Sequence, residues 1–188
     1  FIERKAGQPF LVYYPMILTH CPFVPTPHSE DWDPTSAGSP THKGDKTYFG
    51  DMVEYVDHLV GKIEAELERH GLLENTYLIF TSDNGGMPTL PIQVNKGEPY
   101  SAGLNSPLLR GKWDLTEGGI RVPFAVMGPG VEAGSQSNEP IIIYDLLPPL
   151  ADIAGAADAL PDELDGRSIR PVLKNPNSKI KNYILSKL

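Results

Sequence analysis

Leu78-Ile79-Phe80-Thr81-Ser82-Asp83-Asn84-Gly85-Gly86 is a short apolar run that stops abruptly at two hard oxygen ligands and two glycines. The run has the length and composition of a buried strand. In an open α/β sheet, ligands bind just beyond the carboxyl ends of the strands. Asp83 and Asn84 then stand at the mouth of a site, and Gly85 and Gly86 let the chain turn away closely. A carboxylate beside an amide oxygen suits Ca²⁺ or Mg²⁺ better than zinc. The same residues also read as an ordinary Asp-Asn-Gly turn closing a strand, so the rest of the chain has to decide.

Upstream, Asp45 to His70 reads as a helix. Met52, Val56, Leu59, Ile63 and Leu67 recur at helical spacing, and Val53 and Val60 widen the stripe. Asp45 is a candidate N-cap, and Gly71 after Arg69 and His70 is a stop signal. A helix leading into the buried strand Asn75 to Ser82 points to the α/β class, with a largely parallel sheet flanked by helices. Pro9 to Leu18 is a second apolar run, read as a buried strand. Thr19 to Pro40 is too rich in proline for regular structure and reads as a long functional loop.

Downstream, Gly86 to Gly111 has no clean period and reads as a second active-site loop. Val122 to Met127 is a short strand closed by Gly128-Pro129-Gly130, and Ile141 to Tyr144 a short extended run. Asp145 caps a helix whose apolar residues are Leu147, Leu150 and Ile153. Pro148 and Pro149 lie in its first turn and Gly155 ends it. Ala156 to Ser168 is a surface connection, Ile169 to Leu173 a turn of helix, and Tyr183 to Leu185 a strand.

With 188 residues, the chain is one large domain or part of a bigger one. A net charge of −8 argues against nucleic acid or an anionic membrane surface as a general partner. No apolar run reaches membrane-spanning length, and no charged-then-apolar leader is present. One cysteine, Cys21, excludes an internal disulfide. Phe1 enters almost directly into a strand pattern and Leu188 falls inside what reads as another, so both ends read as cuts.

Three stretches concentrate polar chemistry: Thr19-His20-Cys21-Pro22, Ser82-Asp83-Asn84-Gly85, and Arg110-Gly111-Lys112 with Glu117-Gly118-Gly119-Ile120-Arg121-Val122-Pro123. Between Arg110 and Arg121 the positive residues Arg110, Lys112 and Arg121 outnumber Asp114 and Glu117 by one. That excess suggests a local anion site inside an acidic protein. A lysine ammonium is a compact charge with three donors, suited to an anionic oxygen. Glu117 and Arg121 read better as a structural pair. His28 and His42 read as surface residues, Asp57 and His58 as packing or capping groups, and His70 as a cation at a helix C-terminus. Trp32, Trp113 and Tyr100 lie in loops, where they either line a pocket or pack under the loop.

These blocks, with Asn105-Ser106-Pro107-Leu108 and Asp145-Leu146-Leu147-Pro148 through Leu164-Asp165-Gly166-Arg167-Ser168, give the chain a resemblance to the sulfatase family of the alkaline-phosphatase-like superfamily. Each block is weak alone; their order and spacing over nearly the whole chain are specific. The resemblance implies a divalent-cation-dependent sulfuric ester hydrolase, with Ca²⁺ (or Mg²⁺) held in part by Asp83 and Asn84. It implies His20 and Lys112 as catalytic groups contacting the sulfate and its bridging oxygen. Both are expected to point into one cleft beside Asp83 and Asn84. The implied partners are a small-molecule sulfate ester or a sulfated glycan. Export to the periplasm, the extracellular space or the lysosome is what the family implies, and the sequence leaves the compartment open.

The departures from the family matter as much. The family's nucleophile is a formylglycine made from the cysteine of a Cys-x-Pro-x-Arg motif. Cys21-Pro22-Phe23-Val24-Pro25 has proline at the wrong offset and no arginine, so Cys21 reads as an inert thiol beside the site. The family's paired N-terminal aspartates are absent too, and two ligands are too few for calcium. The expectation is therefore a partial catalytic domain, the family's C-terminal portion, with residues 174–188 starting a further subdomain. Alone it should be catalytically incompetent, and a sheet lacking its first strands should self-associate through an exposed edge. The competing readings are a phosphoryl or phosphonate ester hydrolase of the same superfamily and a non-catalytic anion-binding relative.

Overall fold

Twenty-one consecutive residues, Phe49–Arg69, form the longest element in the computed structural model, which describes residues 1–87 and 105–180. A single turn, α1 (Ile2–Lys5), precedes this helix, α2 (Phe49–Arg69). Asp45 opens it as its sequence position predicts. Its carboxylate accepts from Thr47 N at 3.0 Å and starts a 3-10 turn, Lys46–Tyr48, that runs straight into α2. The apolar stripe is present: Met52 and Leu67 are buried, Val56, Leu59, Val60 and Ile63 half-buried, and Val53 exposed. Gly71 ends the helix at φ +65, a conformation glycine adopts without a Cβ clash. Gly71 N donates to Glu68 O and Leu72 N to Leu67 O, both at 2.9 Å, and these bonds satisfy the last carbonyls.

The chain then enters β1 (Leu78–Thr81). After α3 (Glu117–Ile120) comes β2 (Phe124–Met127), which pairs with β1 in the register Leu78–Met127, Ile79–Val126, Phe80–Ala125 and Thr81–Phe124. This pairing is antiparallel, where the sequence suggests a largely parallel sheet. Among the described residues the sheet has these two strands, and the one parallel contact is an isolated bridge between Phe23 and Gly44. α4 (Leu147–Ile153) and α5 (Arg170–Lys174) complete the described chain.

Several expectations are corrected. Residues 9–18 carry no strand. Tyr13 and Ile17 are 84% and 82% exposed, and Leu11, Val12 and Tyr14 are exposed as well. An apolar run becomes a strand only when another backbone lies alongside it. Pro9 and Pro15 also each remove a donor. Residues 143–146 form a 3-10 turn instead of an extended run. Asp145 lies inside that turn and is buried. Its carboxylate accepts from Ile142 N at 2.9 Å and from Arg167 N at 2.7 Å, tying residues 142 and 167 together instead of capping α4. The Tyr183 to Leu185 strand and residues 88–104 of the second loop lie outside the described residues. Among the described residues no helix is long and apolar enough to cross a membrane.

The first long loop is fastened to α2. Thr26 is buried, with its N–H on Ser29 Oγ at 2.9 Å, and Ser29 Oγ in turn donates to Asp51 Oδ2 at 2.6 Å. His28, an exposed residue, lies against the rings of His58 and Tyr55, with centroids 4.2 and 5.0 Å away. Phe23 N donates to Lys43 O and Asp45 N to Phe23 O, both at 2.9 Å. These contacts hold the segment that carries His20.

At the other end of α2, Glu66 accepts from Arg69 Nε at 3.0 Å and Nη2 at 2.5 Å, and meets His70 Nε2 at 3.2 Å. The Arg69 hydrogen bond, assisted by its charge and by His70, holds the Glu66 carboxyl down at about 2, from an ordinary 4.5. A depressed folded-state value stabilises above the unfolded value. That contribution is complete above pH 4.5 and disappears as pH falls through about 2. An NMR titration of the Glu66 carboxyl carbon should therefore find a midpoint near about 2, and Arg69→Gln should return it towards 4.5. A midpoint of 4.5 in the unaltered chain would mean that these contacts do not persist in solution.

Candidate active site

Thr81 opposite Phe124 is the last strand pair. In an antiparallel pair, residues just past one strand lie beside residues just before the other. Ser82 to Gly86 is thereby brought against Glu117 to Arg121. Gly85 N donates to Gly119 O at 2.8 Å, and Gly118 and Gly119 are buried. The approach leaves no room for a side chain: a Cβ on Gly85 would lie 1.8 Å from Gly118 O, and one on Gly118 would lie 2.1 Å from Arg110 O. A third segment joins them. Gly118 N donates to Leu109 O, and Lys112 N to Gly86 O, both at 2.9 Å. The side-chain amide of Asn105 donates to Gly86 O and to Arg110 O, each at 2.8 Å.

Onto this backbone cluster comes a residue from far away in sequence. Lys112 Nζ lies 3.5 Å from His20 Nε2, across 92 positions of chain. His20 Nδ1 is 2.7 Å from Cys21 O. A carbonyl oxygen only accepts, so Nδ1 carries the proton and Nε2 is the ring atom turned to Lys112. The side chains of His20 and Lys112 are thus brought together. Lys112 also stands beside the Asp83-Asn84 turn through its own N–H on Gly86 O. Cys21, half-exposed, keeps its Sγ 3.7 Å from His20 Nδ1.

Asp83 is exposed, and its Oδ1 accepts from Asn84 N at 2.9 Å. The Asn84 amide nitrogen donates to Gly85 O at 3.0 Å, which leaves its Oδ1 as the acceptor to offer an ion. Among the described residues no three His, Cys, Asp or Glu side chains gather into a metal cage. Calcium takes six to eight oxygens, so Asp83 and Asn84 fit a divalent cation as part of its shell and not as the whole of it.

The local charges sort cleanly. Arg110 Nη1 bonds Asp114 Oδ2 at 2.6 Å, and Arg121 Nη1 lies 3.3 Å from Glu117 Oε2. The Arg110 guanidinium, with the Thr116 N–H, holds the Asp114 carboxyl below the ordinary carboxylate range. Lys112 has no carboxylate within ion-pair distance among the described residues, so the predicted excess of positive charge resides there. Trp113 and Trp32 are exposed, and Tyr100 lies outside the described residues. Asn105 lies in a block that carries the family resemblance, but sequence reasoning gave it no role of its own. A side-chain amide that joins main-chain carbonyls of two separate segments leaves no periodic signal. Its traces in the sequence are its place ahead of Ser106-Pro107 and its membership of that block.

The family model described as Sulfatase matches residues 1–156. The chain belongs to the sulfatase family. It is 34% identical to the dog Arylsulfatase H over 93% of its own length and 29% of that protein. It is 33% identical to the rat Steryl-sulfatase over 92% of its length and 28% of that protein. Among solved structures, the PsFucS1 sulfatase from Pseudoalteromonas sp. superposes with a TM-score of 0.58 at 32% identity, over 72% of this chain and 26% of that one. Ps i-CgsB in complex with k-i-k-neocarrahexaose gives 0.56 at 33% identity, over 68% and 26%. BT4656, solved in complex with its substrate D-glucosamine-2-N,6-O-disulfate, gives 0.53 at 25% identity, over 72% and 25%. This sulfatase-family chain therefore spans less than a third of the length of each of these relatives.

The close approach at Gly85 gives a direct test. Gly85→Ala forces its methyl group into Gly118 O. The two loops must part, at a cost of about 1–3 kcal/mol for over-packing. Urea unfolding should show the loss, and the amide resonances of Gly119 and Lys112 should shift most. A substitution that moves neither would show that the two loops do not touch in solution.

Proposed function

We propose that this chain contributes cation-binding and sulfate-binding groups to a sulfuric ester hydrolase acting on a small-molecule sulfate ester or a sulfated glycan. The observation that carries the reading is the approach of Lys112 Nζ to His20 Nε2 at 3.5 Å beside the Asp83-Asn84 turn. Asp83 and Asn84 would hold the divalent cation, Ca²⁺ or Mg²⁺, through their side-chain oxygens. When bound, that ion polarises the sulfate oxygens and lowers the cost of the charge that develops there. Lys112, the ammonium without a carboxylate partner among the described residues, donates to a sulfate oxygen and holds the group in place. As an oxygen nucleophile, assigned to none of the groups named here, bonds to sulfur, the sulfur–oxygen ester bond breaks and leaves its electron pair on the departing oxygen. Lys112 Nζ is the donor from which that oxygen takes a proton, and His20 Nε2, an acceptor beside it, orients the ammonium. The Nδ1–H bond to Cys21 O keeps the ring turned for this. Cys21 does not match the family's formylglycine pattern, so the reading assigns it no nucleophilic role. The D-glucosamine-2-N,6-O-disulfate solved with BT4656 supports a sulfated sugar as one candidate substrate, and the 33–34% likeness to aryl- and steryl-sulfatases supports a sulfated aryl or sterol alcohol as another.

The test uses the protein expressed from its complete reading frame, with 4-nitrophenyl sulfate as substrate. Lys112→Ala and Asp83→Ala should each lower turnover about 10²–10³-fold. Asp83→Ala should also lower bound calcium in metal analysis, and Cys21→Ser should leave turnover unchanged. Unchanged calcium content with Asp83→Ala would remove that residue from the cation shell. Loss of turnover with Cys21→Ser would restore it as a reacting group. Preferential turnover of 4-nitrophenyl phosphate would move the protein to phosphoryl transfer.

A further inference from the structure

We propose that Asn105 is a positioning residue for Lys112, an inference that rests on the sulfate-binding role just assigned to that lysine. Its Nδ2 carries two hydrogens and uses both on main-chain carbonyls of different segments, Gly86 O and Arg110 O, each at 2.8 Å. Gly86 ends the turn that carries Asp83 and Asn84, and Arg110 stands two residues before Lys112. The amide therefore bridges the cation-binding turn to the lysine-bearing loop. The bridge is closely packed on its other atom as well, since Asn105 Oδ1 lies 2.6 Å from where a Cβ on Gly86 would stand.

Gly86 O receives two donors, Asn105 Nδ2 and Lys112 N at 2.9 Å, so one oxygen sets both the side-chain and the main-chain link. Asn105 itself is fixed by Leu108 N on its carbonyl at 2.8 Å. Among the described residues no carboxylate holds Lys112 by charge, because Asp114 is committed to Arg110 and Glu117 to Arg121. The location of the ammonium therefore depends on main-chain geometry, and Asn105 is the side chain that fixes it. A carboxylate at this position has the same shape but no donor. It would turn an acceptor towards two carbonyl oxygens and push the segments apart.

The experiment is a double-mutant cycle between Asn105 and Lys112 in the complete protein, with turnover of 4-nitrophenyl sulfate per folded molecule and thermal unfolding measured in parallel. Asn105→Asp should lower kcat about a hundredfold, the cost of a displacement on the order of 1 Å, with KM changed much less. Asn105→Asp combined with Lys112→Ala should be no worse than Lys112→Ala alone. Additive losses in the double variant, or unchanged kcat in a folded Asn105→Asp protein, would overturn the inference. If Asn105→Asp does not fold, Asn105→Ala removes the same donors without adding charge, and the cycle is read in that variant by the same criteria. A Lys112→Ala protein with full turnover overturns the sulfate-binding reading itself, and the positioning role with it.

Discussion

The site depends on one antiparallel pairing. With Thr81 set opposite Phe124, the continuation of β1 and the approach to β2 are forced into contact, and the Gly85 N to Gly119 O bond is the first link beyond the strands. That link exists because neither chain carries a side chain at the crossing. Backbone oxygens and nitrogens meet where Cβ atoms would collide, and the bonds made there are short and directional. From this crossing, the Asp83-Asn84 turn, the lysine loop and the residues that connect them take their places. Residues 82–86, 105–112 and 117–121 form one cluster because hydrogen bonds to main-chain carbonyls tie them together, and His20 meets it through its side chain.

Charge completes what the main chain begins. Arg110 and Arg121 are each closed by a carboxylate four residues away, so their charge is spent locally. Lys112 sits between them with its ammonium turned to a ring nitrogen rather than to an acid. In a chain of net charge −8 this ammonium has no carboxylate within ion-pair distance among the described residues. A fixed imidazole tautomer adds direction to that charge, because the Cys21 carbonyl decides which ring nitrogen faces inwards.

Much of this was legible in the sequence, and the reasons differ by element. Helix α2 was readable because its stripe, its Asp45 start and its Gly71 stop agree with one another, which is the condition for reading an isolated element. β1 was readable from a short apolar run, but the strand covers Leu78–Thr81 and not all of Asn75 to Ser82. The run from Pro9 to Leu18 misled, because apolarity reports the capacity to be buried, while pairing depends on a neighbour that no local pattern encodes. The antiparallel sense of β1 and β2 was hidden for the same reason. For Asp145, residue type correctly indicated a carboxylate bonded to main-chain N–H groups. Its partner at Arg167 lies 22 residues away, beyond any capping rule. Family resemblance, rather than periodicity, singled out His20 and Lys112, since neither lies on a patterned element.

The 92-residue separation of those two side chains has a kinetic meaning. Closing a loop of that length costs on the order of 4 kcal/mol of chain entropy beyond the constant term, from (3/2)RT ln n. The contact returns little on its own, since it joins two exposed polar groups. Helix α2, built from contacts three and four residues apart, has no such barrier. Folding of this chain should therefore run outwards from α2 and reach the His20–Lys112 contact late, after the strand pair has formed. In pulse-labelled hydrogen exchange, the α2 amides would be protected while the Gly85 amide is still open.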